Sequence, residues 1–136
     1  MNRIKDYAKD EAKDRLIYLS PAAMMLLCDV ILWCEQKQLS CQFTSAFSDF
    51  TEDQALNRIS STHREGRAFD LSTRGWGRET ILECKRIFTA KYRTISAIDE
   101  HKEPRLCVIH DAGSGEHIHF QVHPRYAMLG KIFNKI

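Results

Sequence analysis

A chain of 136 residues with 43% hydrophobic, 10% aromatic and 28% charged side chains has the make-up of one compact domain, not of a disordered, fibrous or two-domain protein. Lysine and arginine number 20 against 18 aspartates and glutamates, and a net charge of +2 is too small for a counterion-releasing surface, so nucleic-acid binding is not expected. The five cysteines (Cys28, Cys34, Cys41, Cys84, Cys107) contain no C-x-x-C pair, which points to reduced thiols and away from a disulfide framework or a zinc knuckle.

The N-terminal residues mix acids and bases through Arg15, without the apolar core or cleavage site of a secretory signal, so export by the general route is not expected. Residues 3 to 17 read as a solvated helix or turn with Ile4, Tyr7, Ala8, Leu16 and Ile17 docking sparingly. Ser20 and Pro21 supply an N-cap and a first helical residue for a helix to about Lys37. Its most apolar part, Ala22 to Cys34, carries Asp29 and falls short of the roughly 20 residues that cross a bilayer, so it is a buried helix and no membrane anchor is expected.

Gln42 to Phe47 alternates as a strand, and Thr51 to Gln54 has capping-box spacing for a short helix through Asn57. After the polar stretch Ser60 to Glu65 comes a second strand, Arg67 to Ser72, and Gly75-Trp76-Gly77 breaks the chain before a helix from about Arg78 to Tyr92, with Ile87 and Phe88 on its buried stripe. Thr94 to Ile98 reads as a short strand. Leu106 to His110 and His117 to Val122 form a hairpin about a turn at Asp111 to Gly115. Pro124 stops the last strand, and Tyr126 to Asn134 reads as a closing helix. Helices first and antiparallel strands later make an α+β fold, a small antiparallel sheet flanked by helices, in a single domain over 1–136. A monomer is expected.

Two segments concentrate metal-ligand residue types: Ser61-Thr-His63-Arg-Glu-Gly66-Arg-Ala68-Phe-Asp70 and Glu116-His117-Ile-His119-Phe120. A catalytic zinc site needs three His or carboxylate ligands, an open fourth position and a nearby base. Gly66 permits a tight turn that brings His63 and Asp70 to one rim, and His117 and His119, two apart on a strand, share a face. Glu116 stands at the turn side of that strand, where the backbone could curl its carboxylate toward the site. His101, His110 and His123 match no motif position and read as structural histidines.

The first segment resembles the S-x-H-x-x-G-x-A-x-D pattern of the zinc D-Ala-D-Ala peptidases, and the second resembles their E/D-x-x-H or E/D-H-x-H element. The resemblance covers residues 20 to 124. It implies the hedgehog/DD-peptidase zinc-binding fold, with Zn2+ held by His63, Asp70 and His119, Glu116 as general base and acid, and His117 as the electrophilic partner steadying the oxyanion. The implied activity is hydrolysis of peptidoglycan stem peptides. Size and the missing signal favour a phage or prophage endolysin of the L-Ala-D-Glu endopeptidase type, made in the cytoplasm and reaching the cell wall after holin-type release. The rival readings are a D-Ala-D-Ala carboxypeptidase and a non-catalytic zinc-bearing phage tail or assembly module.

Ser61, Arg67 and Trp76 are the further candidates for substrate contact. Ser61 either buttresses the motif, touches substrate, or is a turn serine bonded to backbone; Trp76 either lines the cleft or simply packs. The family's substrate-gripping arginine has no counterpart, since Ser48 stands at its place in Ser45-Ala-Phe47-Ser48-Asp49. Arg64, Arg67 or Arg74 could substitute, because a guanidinium fork from any nearby loop can pair with a carboxylate.

Overall fold

The computed structural model describes residues 3–48, 50–57, 60–111 and 115–127. The N-terminal segment is broken where one solvated helix was expected: a 3-10 turn at Ile4–Tyr7, a short helix α1 at Asp10–Lys13 and a second 3-10 turn at Leu16–Tyr18. The break has a backbone cause, because Ala8 bridges to Phe43 and the Lys9 amide donates to the Phe43 carbonyl. Ala8, Ala12, Leu16 and Leu19 turn into the core, whereas Ile17 stays 67% exposed.

Helix α2 runs Pro21–Lys37 as expected. The Ser20 hydroxyl accepts the Ala23 amide, and the helix ends where Gln38 enters the left-handed region at φ 58° and donates back to the Cys34 carbonyl. Strand β1 is limited to Phe43–Ser45, since its register against the next strand slips between those two residues. Helix α3 spans Phe50–Ala55, so Thr51 lies inside the first turn and does not open the helix. Strand β2, Ala68–Ser72, begins one residue later than expected because the Arg67 amide closes the preceding turn on the Thr62 carbonyl.

Helix α4 covers Arg78–Lys91, and β3 (Cys107–Asp111) and β4 (Glu116–Gln121) form the hairpin. Thr94 to Ile98 contributes only the isolated bridges Ser96 to Val122 and Ile98 to Pro104; proline has no N–H with which to extend the second. Past β4, Pro124–Tyr126 is a single 3-10 turn, and the rest of the expected closing helix lies outside the described residues.

The four strands make an antiparallel sheet in the order β1-β2-β4-β3. Alternation divides it into two chemically opposite faces. Phe69, Leu71, Ile118 and Phe120 point toward the helices, where Phe120 stacks on Phe69 with ring centres 5.0 Å apart and meets the edge of Phe88 from α4. From α2, Leu26, Leu27, Val30 and Trp33 join the same core. The opposite face carries Asp70, His117, His119 and Gln121. Burying four large side chains beneath β2 and β4, at about 1.5–3 kcal/mol each, fixes which face these polar residues occupy, because a one-residue slip would drive the aromatic residues into the cleft.

The cysteines are free, as expected. Burial pushes the Cys107 thiol up to about 12, so it stays protonated and unreactive.

Candidate metal centre

Register assembles the site. In the β2 to β4 ladder Asp70 lies directly opposite His119 and Ser72 opposite His117, and in the β3 to β4 ladder His110 lies opposite His117. His63 arrives from the turn before β2. That turn closes through the Glu65 amide on the Ser61 carbonyl and the Gly66 amide on the His63 carbonyl, with Gly66 at φ 68°, a backbone conformation glycine adopts without strain. Fifty-odd positions of sequence thus converge: one ligand atom each from His63, Asp70 and His119 lies within 4.8 Å of the others. All three side chains are nearly buried.

The hydrogen bonds around the two imidazoles decide which nitrogens are free for a cation. His63 Nδ1 is 2.6 Å from the Ala46 carbonyl oxygen and must donate to it, which leaves the lone pair on Nε2. Gln121 donates its amide to the Arg105 carbonyl at 2.8 Å, so its Oε1 must face His119. His119 Nε2 donates to that oxygen at 3.0 Å and keeps its lone pair on Nδ1. Both lone-pair nitrogens point at one oxygen: Asp70 Oδ1 is 3.4 Å from His63 Nε2 and 2.9 Å from His119 Nδ1.

Three acceptors facing one another are stable only with a cation or a proton among them. Burial alone would raise the Asp70 carboxyl; in the proton case, positive charge on His63 and His119 holds it well below the usual carboxylate range. A carboxylate and two imidazoles, each imidazole oriented through its far nitrogen, are the donor set and the outer support of a metal site. These groups could hold a metal ion.

The site opens onto a cleft of about 1080 Å³ lined by His63, Asp70, His110, His117, His119 and Gln121. Lys9, Arg67 and Arg105 bring positive charge to its lining and Glu11 and Asp70 negative charge, with Arg67 also paired to Glu65 at 3.5 Å. A metal here would therefore keep solvent access on one side, unlike the closed shell of a structural ion.

The remaining expected site residues fall elsewhere. The β4 ladder runs regularly to Glu116 opposite Asp111, so alternation puts the Glu116 carboxylate on the face opposite the histidines, where Arg78 donates to it at 3.3 Å. It does not curl toward the cluster. Ser61 donates to the Glu65 carboxylate within its own turn. Trp76 packs on Trp33 and donates to the Ser40 carbonyl, and it is not among the cleft-lining residues. Arg67 lines the cleft but is tied to the Val122 carbonyl at 2.8 Å. Ser48 is buried and donates to Asp53, with which Arg64 also pairs at 3.5 Å.

Sequence reasoning gave no role to Ala46 and Gln121, which orient the imidazoles, or to Thr62, 3.4 Å from His119 Nε2, and His110, read as a structural histidine, lines the cleft with its ring 4.1 Å from that of His117. Gln121 was accessible, being two residues beyond His119 on the same strand face. Nothing in the sequence marks the Ala46 carbonyl. In comparisons with known proteins, no family model, curated protein or solved structure matches this chain.

Proposed function

We propose that this chain is a zinc-dependent peptidase acting on peptidoglycan stem peptides, of the endolysin kind that meets the cell wall after lysis begins. One observation carries the metal part of the reading: His63 Nε2, His119 Nδ1 and Asp70 Oδ1 converge at the floor of an open cleft while the far nitrogens of both rings are tied down. His63, Asp70 and His119 would hold the ion, which when bound supplies a Lewis acid for a scissile carbonyl and acidifies water. The stem-peptide part rests on the motif resemblance and is supported by Lys9 and Arg105 in the cleft lining, which suit a substrate carrying free carboxylates.

The chain's own residues perform three tasks in this reading. Ala46 and Gln121 keep the ligand nitrogens deprotonated and aimed. Arg105 and Lys9 attract the acidic peptide. His117, outside the first ligand set and 3.9 Å from Asp70 Oδ2, faces the bound substrate. Glu116 would have to leave Arg78 and change faces to accept a proton at the scissile bond, and this favours one rival: an assembly module that keeps the metal without turnover.

Digestion of purified murein, with mass spectrometry of the released fragments, separates the two. A peptidase yields new stem-peptide ends with zinc present and none after chelation or in a His63→Ala protein. A zinc-loaded wild-type protein that releases nothing overturns the peptidase reading and leaves the module.

A further inference from the structure

We propose that the cleft carries a second divalent-cation position, formed by Asp70, His110 and His117, that shares the Asp70 carboxylate with the first. The inference rests on the reading of His63, Asp70 and His119 as a metal site, and adds to it a pair of histidines which that site does not use.

The observations are geometric. One ligand atom each from Asp70, His110 and His117 lies within 4.8 Å of the others, the same closeness that the first group shows. His110 and His117 are direct cross-strand partners, and their rings stand 4.1 Å apart at 66°. The contact is edge-to-face, and it sets both imidazoles beside the Asp70 carboxylate. A cation shared with Asp70 would take both imidazoles as ligands.

The two oxygens of Asp70 divide the labour. Oδ1 faces His63 and His119, while His117 Nε2 lies 3.9 Å from Oδ2. A carboxylate can give one oxygen to each of two ions, and its position on the central strand β2 puts it between the His63 turn on one side and the β3 to β4 hairpin on the other. Imidazole and carboxylate donors suit zinc, and the exposed side of His110 leaves water to complete the shell. The second position is the weaker of the two: one ligand is exposed, and the shared carboxylate has already spent its charge on the first ion. With this ion bound, His117 is a ligand and not a free imidazole meeting the substrate.

The test is metal stoichiometry on the full chain. Apo protein is dialysed against buffered zinc at stepped free concentrations and assayed for bound zinc, with thermal melts to verify folding. Wild type is expected to take up two equivalents in two steps. His110→Ala, at an exposed position on edge strand β3, should take up one, as should His110→Gln if the alanine variant melts early. His101→Ala, which removes an exposed imidazole away from the cleft, should still take up two. Cobalt(II) loading gives a second readout: the second equivalent should diminish the electron paramagnetic resonance signal of the first through coupling across Asp70. Saturation of wild type at one equivalent, or two equivalents retained in both His110 variants, overturns the second position and leaves the first intact. No zinc bound at any concentration overturns both.

Discussion

Gln121 offers the sharpest test of the proposed metal site, because it lies outside the ligand set and would act only through His119. Replacing it with leucine keeps a side chain of similar size on β4 but removes the acceptor that holds the proton on His119 Nε2 and the donor that meets the Arg105 carbonyl. The imidazole can then turn or change tautomer, and its Nδ1 lone pair is no longer fixed toward Asp70. Lost outer support of this kind weakens metal binding by about 10–100-fold, equivalent to about 1.4–2.7 kcal/mol. Leaving buried polar partners unmet costs the apo fold a further 1–3 kcal/mol or so. For a chain of this length, about 3–4 °C of melting temperature accompanies each kcal/mol, so the apo protein should melt roughly 3–10 °C lower. Competition against a fluorescent zinc chelator measures the affinity, and calorimetric melts of the metal-free protein measure the rest. Gln121→Glu, which retains the acceptor, should bind zinc at least as tightly as wild type. A Gln121→Leu protein with wild-type zinc affinity would refute the argument that the far nitrogen of His119 sets its ligand nitrogen.

Zinc itself should stabilise the fold: at a free concentration about 1,000 times the dissociation constant the gain is about 4 kcal/mol, or roughly 14 °C, reversed by chelator and much reduced in His63→Ala. Gly66→Ala forces a side chain into the left-handed region at φ 68°. It should cost about 1–2 kcal/mol, visible as a melting point lowered by roughly 4–7 °C, and an unchanged melt would deny the turn its role. Burial pushes the Asp29 carboxyl up, but Lys91 and Tyr92 more than compensate and hold it below its ordinary value. The sign follows from linkage: this tie between α2 and α4 contributes fully above the unfolded carboxyl pKa of about 3.9 and is lost as pH falls through the lower folded value. Denaturant titrations from pH 6 to pH 3 should therefore show a shallower loss of stability in Asp29→Asn than in wild type, and equal slopes would contradict the assignment.

Most of the fold was legible because burial and backbone chemistry agree along the chain. The Ser20-Pro21 start of α2 and the glycine break before α4 are local signals, and local signals specified both helices to within a residue. What escaped was non-local. Nothing within residues 3 to 17 says that Ala8 will bridge to Phe43, yet that contact breaks the expected helix. Residue types and spacing brought out the two segments and the motif resemblance singled out His63, Asp70 and His119, whereas which of their atoms face one another depended on a carbonyl from Ala46 and an amide from Gln121. His110 is the instructive miss. A hairpin is symmetric about its turn, so the same reasoning that paired Leu106 to His110 with His117 to Val122 already set His110 against His117. Matching residues to a motif hid what matching strand to strand would have revealed.

Glu116 shows the converse error and leads to a decisive experiment. An offset of three between Glu116 and His119 satisfies a motif, but on a strand with period two an odd offset places the two side chains on opposite faces unless a bulge intervenes. The ladder from Cys107 to Asp111 against Glu116 to Phe120 has none. Arg78 at the start of α4 receives the carboxylate on the far face, in a pair whose side chains are 63% and 38% exposed, so its loss should cost less than about 1 kcal/mol. Glu116→Gln is accordingly expected to keep the zinc affinity and stoichiometry of wild type, with a melting point lowered by no more than about 3 °C. If it also retains murein cleavage within about tenfold, proton transfer does not depend on Glu116. Loss of cleavage by more than about a hundredfold, with zinc still bound, would mean that the carboxylate changes faces when substrate arrives, which requires the first residue of β4 to leave the ladder. Amide exchange at Glu116, measured with and without a bound stem peptide, would then have to rise on binding; protection unaltered by the peptide would exclude that movement.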